Sequence, residues 1–490
     1  MKEKKAIVIG AGIAGIAAAI RLQHLGYQVS VYDSNEKPGG KLTEFIHNGF
    51  RFDAGPSLFT MPQYVIELFE LFQKDYKAHF DFEQLPVVCK YFYEDGTRLN
   101  AYADIRKFTH ELKDKLGESE AKIKRFFHKA KELYQITNPV FLNKSLHKRA
   151  TYLNWETFKS LLQVYKLDVF RSMHQANQQL FSNPKTVQLF DRYATYNGSN
   201  PYEAPATLNI ISHLEHEIGA FFPKDGMYSI TQSLFALAKE VGVHFHFNET
   251  ITEIVVDQQL VKGIKLKQEF VPANLVVSNV DVVNTYRKLL PKSKHPEKLL
   301  NQPKSSSALI FYWGMNEEFP ELDLHNIFFS ENYEEEFNCL FQQQTIYEDP
   351  TVYVFISAKQ VPADAPQGAE NWFVMINTPN DAGQDWEQLI ATARANIIKK
   401  LERVLNRPIQ KHILFEKILD PKLIELRTAS SQGALYGNSS NNRYAAFLRH
   451  PNFSKQFENL YFCGGSVHPG GGIPLCLLSA KIVGDLVGSK

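Results

Sequence analysis

Apolar runs and helical periodicities alternate along much of this chain. Ala6–Ile9 is a short apolar run, typical of a buried strand, and Gln28–Tyr32 is predicted as a second strand. The alanine- and leucine-rich stretch Ile16–Leu25 between them predicts a helix. Much later, Trp386–Val404 carries its apolar residues at helical spacing. The pattern therefore predicts an α/β protein.

Strands are also predicted in two groups outside this N-terminal unit. Val243–Asn248 and Ile251–Val256 are expected to pair with each other, and Val276–Asn279 is a further strand. Between about residues 292 and 452, aromatic and β-branched runs predict a mixed α/β unit with a sheet backed by helices. The runs are Ala308–Trp313, Thr351–Ser357 and Trp372–Ile376.

Glycines follow the first strand in a G-x-G-x-x-G spacing. Gly10 makes the tight turn, Gly12 lets the backbone approach a pyrophosphate, and Gly15 lets the helix pack on the strand. The helix that follows starts with its N–H groups facing the phosphates, and Ile13 and Ala14 between the glycines are assigned to the same site. Asp33 ends the second strand 18 residues after Gly15, about where a ribose hydroxyl needs an acceptor. These features together indicate a Rossmann-like dinucleotide site; the alternative is a βαβ unit whose glycines only serve packing.

Composition narrows the class of protein. The chain has 490 residues, enough for two or three domains, and its formal net charge of +1 gives no case for a nucleic-acid partner. Its 36 Phe and 22 Tyr suit ordinary cores and also a long apolar ligand. The four cysteines show no metal-site spacing and favour a reducing, cytoplasmic compartment. We expect neither a signal peptide nor a membrane-spanning segment.

Residues 122–171 combine positive charge with apolar side chains. They contain eleven Lys or Arg against three acids. Two interpretations remain open, a helical insert with a solvated basic face and a surface that docks on anionic lipid. The interleaved apolar residues are Leu142, Leu146, Leu153, Trp155, Phe158, Leu161, Leu162, Tyr165 and Phe170.

A second glycine pair and a cation, Gly39-Gly40-Lys41, follow Asp33. This arrangement resembles the extended N-terminal signature of the flavin amine-oxidase and carotenoid-desaturase superfamily. The resemblance implies that the doublet and its cation approach the diphosphate side of FAD. Most members have Arg and Glu where this chain has Lys41 and Asp33; both departures keep the charge, although Lys lacks the bidentate fork of Arg.

Four further segments carry the resemblance to phytoene-desaturase-type carotenoid desaturases, in family order. Asp53-Ala54-Gly55-Pro56-Ser57 resembles an element that passes near the flavin ring, and Arg192–Met227 resembles a long family segment. The strand at Ile251 and the returning strand at Asn279 match the family's nucleotide domain, and Gly464–Pro474 resembles its C-terminal FAD signature. Beyond the first signature, the implied FAD contacts are Gly55, Pro56, Ser57, Leu58, Ile251, Asn279, Gly465, Ser466, Ile473, Pro474 and Leu475.

The resemblance also implies an architecture and a location. It implies a discontinuous FAD-binding domain (1–75, 222–291 and 453–490) and a substrate-binding domain (76–108 and 292–452). Residues 109–221 then form a helical cap that docks on the cytoplasmic membrane as a peripheral, monotopic surface.

The implied activity is hydride transfer from a long apolar carotenoid to FAD. The match is strongest to the branch that performs 3,4-desaturation of 1-hydroxycarotenoids. The alternatives are a phytoene or diapophytoene desaturase, a carotenoid cis–trans isomerase, an amine oxidase, and a non-enzymatic lipid-binding protein with the flavin fold. The sequence identifies no catalytic side chain and no electron acceptor.

Isolated histidines and cysteines give no separate site. His213 and His216 lie three residues apart on a predicted helix, but no third metal ligand is evident, so we expect exposed helix histidines and no metal. Cys463 is expected to be a small core residue and His468 a structural turn residue.

Overall fold

Strands and helices alternate through the computed structural model, which describes residues 4–153, 155, 157, 163–267, 269–441 and 449–489. The described strands are β1 (Lys5–Ile9), β2 (Gln28–Tyr32), β3 (Thr43–His47), β4 (Phe50–Ala54), β5 (Phe59–Thr60), β6 (Phe82–Gln84), β7 (Val87–Phe92), β8 (Arg98–Tyr102), β9 (Ala220–Pro223), β10 (His244–His246), β11 (Ile251–Asp257), β12 (Leu260–Leu266), β13 (Glu269–Pro272), β14 (Leu275–Ser278), β15 (Ser307–Met315), β16 (His325–Phe328), β17 (Val352–Ile356), β18 (Glu370–Thr378), β19 (Ile413–Leu419) and β20 (Leu460–Phe462).

The α-helices of the described residues range from single turns to a helix of 20 residues. They are α1 (Ile13–His24), α2 (Gln63–Glu70), α3 (Ile105–Leu116), α4 (Glu120–Thr137), α5 (Met173–Leu180), α6 (Pro184–Asp191), α7 (Ile210–His213), α8 (Ser229–Glu240), α9 (Val282–Asn284), α10 (Glu297–Leu300), α11 (Tyr333–Asn338), α12 (Trp386–Leu405), α13 (Pro421–Thr428) and α14 (Ile473–Gly488).

A five-stranded parallel sheet has the order β10-β2-β1-β14-β20. Its strands come from both ends of the chain and from the middle. β1 is apolar after Lys5 because its two faces meet different cores: Ala6 and Val8 pack in the core that contains α1 and α14, and Ile7 and Ile9 pack in the core that contains β11 and β12. The sheet is therefore buried on both faces, as a parallel sheet normally is.

A seven-stranded mixed sheet has the order β19-β15-β18-β17-β16-β7-β8. Leu309, Phe311 and Trp313 of β15 pack against α12, whereas Ile310 and Tyr312 belong to the larger core on the other face. This alternation explains the uninterrupted apolar run that predicted the strand. The sheet backed by the helix α12 confirms the mixed α/β unit expected from the sequence.

One predicted strand pairing is wrong. β10 and β11 do not pair with each other: β10 adds to the parallel sheet beside β2, and β11 pairs with β12 in an antiparallel sheet. A short apolar strand carries no mark of its partner, and the parallel partner Ser30 of His244 lies more than 200 residues away in sequence.

Several cations of the basic stretch 122–171 form ion pairs in the fold. Acids neutralise several of its cations: Lys129 and Arg171 pair with Asp168, Lys166 pairs with Glu132, and Lys131 pairs with Glu217 from outside the stretch. Phe158, Leu161 and Leu162 lie outside the described residues. Among those that are described, no helix is both long enough and apolar enough to cross a bilayer.

Candidate functional site

A cavity of about 1330 Å³ lies at the carboxyl ends of the parallel strands and extends to the inner face of the seven-stranded sheet. Ligands of open α/β sheets bind at this end of the strands. All residues assigned to FAD from the sequence line the cavity except Gly15. They are Gly10, Gly12, Ile13, Ala14, Asp33, Gly39, Gly40, Lys41, Gly55, Pro56, Ser57, Leu58, Ile251, Asn279, Gly465, Ser466, Ile473, Pro474 and Leu475.

Gly15 does not line the cavity but allows α1 to pack closely on the glycine loop. A Cβ atom on Gly15 would lie 2.0 Å from the carbonyl oxygen of Gly10. Gly12 precedes α1 with no side-chain cap, and the first turn of that helix contains no acidic residue. The helix start thus offers backbone N–H groups and positive potential to an anion in the cavity.

Asn279 joins the N-terminal and C-terminal glycine loops. Its Nδ2 donates to the carbonyl oxygen of Cys463 at 3.1 Å. A Cβ atom on Gly12 would lie 2.7 Å from Asn279 Oδ1, and one on Gly464 would lie 2.6 Å from Asn279 Nδ2. The loops need glycine on both sides of this amide because the amide fills the space that a side chain would occupy.

Asp33 lies at the end of β2, as the ribose-acceptor position requires. Its Oδ2 accepts from the backbone N–H of Ala11 at 2.6 Å, and its Oδ1 accepts from that of Asn35 at 2.8 Å. The carboxylate therefore fixes the glycine loop and also faces the cavity.

Lys41 reaches across the cavity wall to a loop that the sequence did not single out. Its Nζ donates to the carbonyl oxygens of Leu435 at 2.7 Å and Ala434 at 3.3 Å. Burial lowers the pKa of Lys41, and Asp281 opposes that shift. A Cβ atom on Gly55 would lie 1.9 Å from the carbonyl oxygen of Lys41, so the two loops are in backbone contact.

Asp53, the acidic residue of the Asp53–Ser57 element, has a structural role. It is buried and accepts from the N–H groups of Met227 and Tyr228, both at 3.0 Å, and from Arg51 at 2.8 Å. Asp53 therefore anchors the element, which leaves Ser57 free to face the cavity.

The C-terminal glycine loop leads into α14 from the opposite side. Ser466 Oγ accepts from the N–H of Val282 at 3.0 Å, and Gly472 precedes α14 without a side-chain cap. Cys463 is buried, and burial raises the pKa of its thiol, which suits a core residue rather than a nucleophile. His468 is also buried, with a pKa lowered to about 4 by burial, and its Nε2 contacts the carbonyl oxygen of Lys144 at 3.0 Å.

The wall opposite the glycine loops is largely apolar. It combines residues of the seven-stranded sheet with residues around α7 and the end of α4. They are Phe141, Leu142, Leu208, Ile210, Ile211, Leu214, Ile310, Ile327, Phe373, Met375 and Leu419.

A buried polar cluster interrupts this apolar wall. Arg192 Nη2 lies 3.3 Å from Glu215 Oε1, and Arg192 Nη1 donates to Tyr196 Oη at 2.9 Å. The Tyr196 hydroxyl in turn donates to Glu215 Oε2 at 2.5 Å. Burial alone would raise the pKa of Glu215, but Arg192, His216 and the hydroxyls of Tyr196 and Tyr193 outweigh it and lower that pKa. Arg192 and Glu215 thus form an ion pair at the cavity.

The prediction that His213 and His216 are exposed is wrong, because both are buried. The His216 ring stacks on Phe108 with ring centroids 4.7 Å apart, and its Nε2 lies 3.1 Å from Tyr193 Oη. Burial lowers the pKa of both histidines. Among the residues that the structure describes, no His, Cys, Asp and Glu side chains cluster in a way that could hold a metal ion.

Sequence reasoning missed the polar groups that the fold brings to the cavity. Besides Arg192 and Glu215, these include His325 and Tyr353, whose side chains lie 2.7 Å apart between His325 Nδ1 and Tyr353 Oη. No spacing signal marks them, since each partner comes from a different element. Tyr353 falls in the predicted strand Thr351–Ser357, whereas no strand was predicted at His325, which begins β16.

These residues fit FAD. Two helix starts without side-chain caps suit a diphosphate, a carboxylate ends β2 where a ribose binds, and glycines leave room for a ligand against backbone. The remaining apolar wall leaves room for a second, apolar ligand, since common small-molecule sites occupy only about 300–1000 Å³.

Comparison with known proteins agrees with this fit. Residues 13–487 match the profile of the family described as flavin containing amine oxidoreductase. A 1-hydroxycarotenoid 3,4-desaturase of Flavobacterium sp. (strain P99-3) is 50% identical over 484 residues, which cover 99% of each chain. A 4,4'-diapolycopene oxygenase of Methylomonas sp is 32% identical over 492 residues, 99% of this chain and 98% of that one.

Solved structures share the fold at low sequence identity. A redesigned putrescine oxidase superposes with a TM-score of 0.65 at 13% identity and covers 100% of this chain and 99% of its own. The fold, the glycine loops that line the cavity and the match to the family profile all indicate the same family. The chain therefore belongs to the flavin-containing amine oxidoreductase family and is an FAD-dependent oxidoreductase.

Proposed function

We propose that this protein is a carotenoid desaturase that introduces the 3,4 double bond into a hydroxylated acyclic or monocyclic carotenoid. The observation that carries the proposal is the cavity itself, which joins the glycine loops to a long apolar wall without an intervening barrier. A polyene in contact with that wall lies beside the cofactor loops. The 50% identity to a 1-hydroxycarotenoid 3,4-desaturase supports the choice of substrate.

The proposed FAD contacts follow from the site. The start of α1 with Gly10, Gly12, Ile13 and Ala14 would hold the diphosphate, and Asp33 would accept from the adenosine ribose. Gly39, Gly40 and Lys41 would also approach the diphosphate, and Gly55, Pro56, Ser57 and Leu58 would lie near the flavin ring. The proposed contacts are completed by Ile251, Asn279, Gly465, Ser466, Ile473, Pro474 and Leu475, and all of these residues line the cavity. Gly15 supports them through its packing on Gly10.

The chain's own residues position the substrate and exclude water. Bound FAD supplies a hydride acceptor, which no protein side chain offers. Loss of a hydride from carbon leaves a cation delocalised over the polyene, so an apolar wall such as that of Ile310, Ile327 and Phe373 suffices to hold it. The accompanying proton leaves to a base, and Glu215, whose lowered pKa keeps it ionised, is a buried carboxylate that lines this cavity.

We expect anaerobic mixing of the FAD-loaded protein with a 1-hydroxycarotenoid to bleach the oxidised flavin band. The polyene absorption should shift to the red as conjugation lengthens, with one flavin reduced per double bond formed, because each desaturation releases two electrons. Stopped-flow absorption measures both changes in one experiment.

The competing functions give different results in this assay. Geometrical isomerisation of the polyene without net flavin reduction would favour an isomerase. Reduction of the flavin by an amine and not by the carotenoid would favour an amine oxidase. Carotenoid binding with neither change would identify a lipid-binding protein.

The same proposal includes a membrane-bound location and a division into domains. Leu153, Tyr165 and Phe170 are 85%, 80% and 84% exposed. Leu167 lies between Tyr165 and Phe170 in sequence and packs with Phe141 and Ile210, which line the cavity. The surface that carries Tyr165 and Phe170 therefore adjoins the cavity wall, as an entrance for a lipid-soluble substrate requires.

Sheet membership supports the proposed domains. The strands of the parallel sheet fall in 1–75, 222–291 and 453–490, and those of the seven-stranded sheet fall in 76–108 and 292–452. Residues 109–221 would then be the cap that docks on the cytoplasmic face of the membrane. The four cysteines are free thiols, in keeping with a reducing compartment.

We expect the double variant Leu153→Ser/Tyr165→Ser to bind vesicles of mixed neutral and anionic lipid at least about tenfold more weakly, because burying one large apolar side chain contributes about 1.5–3 kcal/mol. Flotation of the holoenzyme with the vesicles measures binding. Ile46→Ser is the matched control, since Ile46 is 71% exposed on the β3–β4 hairpin. Equal loss in the control, or no flotation of the wild type, would contradict the proposed docking surface.

A further inference from the structure

Three polar groups form a chain on the inner face of the seven-stranded sheet. His325 Nδ1 lies 2.7 Å from Tyr353 Oη, and Tyr353 Oη lies 2.7 Å from Ser57 Oγ. All three residues line the cavity. Tyr353 pairs with Ile327 on one side and Met375 on the other, and both neighbours line the cavity too. These three hydrogen-bonded side chains therefore form a polar patch on an otherwise apolar surface.

Ser57 can form a further hydrogen bond in either orientation of the hydrogen bonds among these three residues. Burial lowers the pKa of His325 to about 3, so the imidazole is neutral and has one donor and one acceptor nitrogen. If Nδ1 accepts from Tyr353, then Ser57 donates to Tyr353 and keeps its two lone pairs. If Nδ1 donates, Tyr353 donates to Ser57, and Ser57 keeps its own O–H and one lone pair.

A ligand hydroxyl both donates and accepts, so it can bond to Ser57 in either case. Ser57 and Tyr353 are only partly buried, whereas His325 behind them is buried. Burial raises the pKa of Tyr353 well above its ordinary value, which keeps the phenol protonated as a donor. The two hydroxyls thus face the cavity and are held in place from behind.

We propose that Ser57 and Tyr353 form the binding site for the substrate hydroxyl and make this enzyme select hydroxylated carotenoids over the corresponding hydrocarbons. This inference rests on the proposed function, in which the hydroxyl stands on C1 and the new double bond forms between C3 and C4. A group that binds the hydroxyl must consequently lie beside the reacting carbons. Ser57 satisfies this condition because it directly follows Gly55 and Pro56, the proposed neighbours of the cofactor.

His325 acts through Tyr353 and is a positioning residue. Its Nε2 has no hydrogen-bond partner among the described residues, and its ring is held by the Nδ1 contact with Tyr353 and by stacking on Phe355, with ring centroids 5.3 Å apart. The seven-stranded sheet supports this placement, because the residues paired with His325 and Tyr353 are themselves in regular register.

The test compares two substrates in each variant, a 1-hydroxycarotenoid and the same carotenoid without the hydroxyl. For Tyr353→Phe and Ser57→Ala we expect the ratio of kcat/KM for the hydroxylated substrate to kcat/KM for the hydrocarbon to fall about tenfold, since one hydrogen bond contributes about 0.5–1.5 kcal/mol. Binding of both carotenoids to the chemically reduced holoenzyme, which accepts no hydride, gives the same comparison without turnover.

Tyr312→Phe is the matched control for loss of a buried tyrosine hydroxyl. Tyr312 lies on β15, and its hydroxyl has no hydrogen-bond partner in the described part of the chain. We expect this variant to keep the wild-type preference. FAD content and melting temperature, measured for every variant, separate a general loss of structure from a loss of selectivity.

Two results would overturn the inference. If both variants keep the wild-type preference for the hydroxylated substrate while FAD stays bound, the hydroxyl site is elsewhere, although the desaturase function stands because double bonds still form. If the variants lose activity equally on both substrates, Tyr353 and Ser57 serve structure alone. If wild-type enzyme reduces no flavin with either carotenoid, the proposed function itself fails.

Discussion

Replacing Gly15 with alanine should abolish stable FAD binding. The new Cβ atom would lie 2.0 Å from the carbonyl oxygen of Gly10 and 3.0 Å from Asn279 Oδ1. The first of these contacts is with backbone, so no change of side-chain rotamer relieves it and α1 must move away from β1. We expect the free energy of unfolding to fall by about 3 kcal/mol or more, which is the upper end of the range for overpacked cores. FAD binding should become at least about 100-fold weaker.

The measurement is flavin content per polypeptide after gel filtration, together with the melting temperature. Gly488→Ala is the control, because Gly488 is also helical and its Cβ would meet only the flexible side chain of Leu25, at 3.3 Å. We expect that variant to keep its flavin and wild-type stability. Wild-type flavin content in Gly15→Ala would mean that the contact between α1 and β1 does not set the geometry of the diphosphate site.

Features set by local sterics were predictable from the sequence. Gly10, Gly12 and Gly15 occupy positions where the fold leaves no room for a side chain or needs an unusual turn, and that requirement is visible in their spacing alone. The strands β1, β15 and β18 were likewise predictable, because two buried faces require continuous apolar runs such as Ala6–Ile9, Ala308–Trp313 and Trp372–Ile376.

Features set by long-range partners were not predictable from the residues alone. Lys41 was expected at the diphosphate side, but its ammonium bonds to carbonyl oxygens almost 400 residues away. His213 and His216 sit among polar residues in sequence and are nevertheless buried, because Tyr134 and Phe108 from other helices pack on their rings. Periodicity describes one element at a time and says nothing of the element that will cover it.

The Arg192–Glu215 pair is the clearest example of a contact that sequence periodicity does not predict. Its removal should lower the free energy of unfolding by more than any surface substitution does. Both side chains are buried, and the guanidinium lies 4.6 Å from the ring centroid of Tyr193 and 5.1 Å from that of Tyr91. Glu215→Gln would leave the buried Arg192 charge without its counter-ion. We expect the free energy of unfolding to fall by about 3–5 kcal/mol.

The exposed pair Arg287–Glu297 provides the control for this change. Glu297→Gln removes a carboxylate of the same kind at the surface, where we expect a change of at most about 1 kcal/mol. Urea unfolding of both variants, followed by far-ultraviolet circular dichroism, measures the difference. Equal effects in the two variants would mean that Glu215 is solvated despite its burial in the fold.

The effect of Glu215→Gln should also depend on pH in one direction. Because the folded state lowers the pKa of Glu215, the ionised carboxylate stabilises the fold above the ordinary glutamate pKa of about 4.3, and this stabilisation is lost as the pH falls through the lower, folded value. The stability difference between wild type and Glu215→Gln should accordingly be largest near neutral pH and shrink in acid. Since Arg192 stays protonated throughout, a difference that instead grew on acidification would show that Glu215 is protonated in the folded protein and that the cavity holds an unpaired guanidinium.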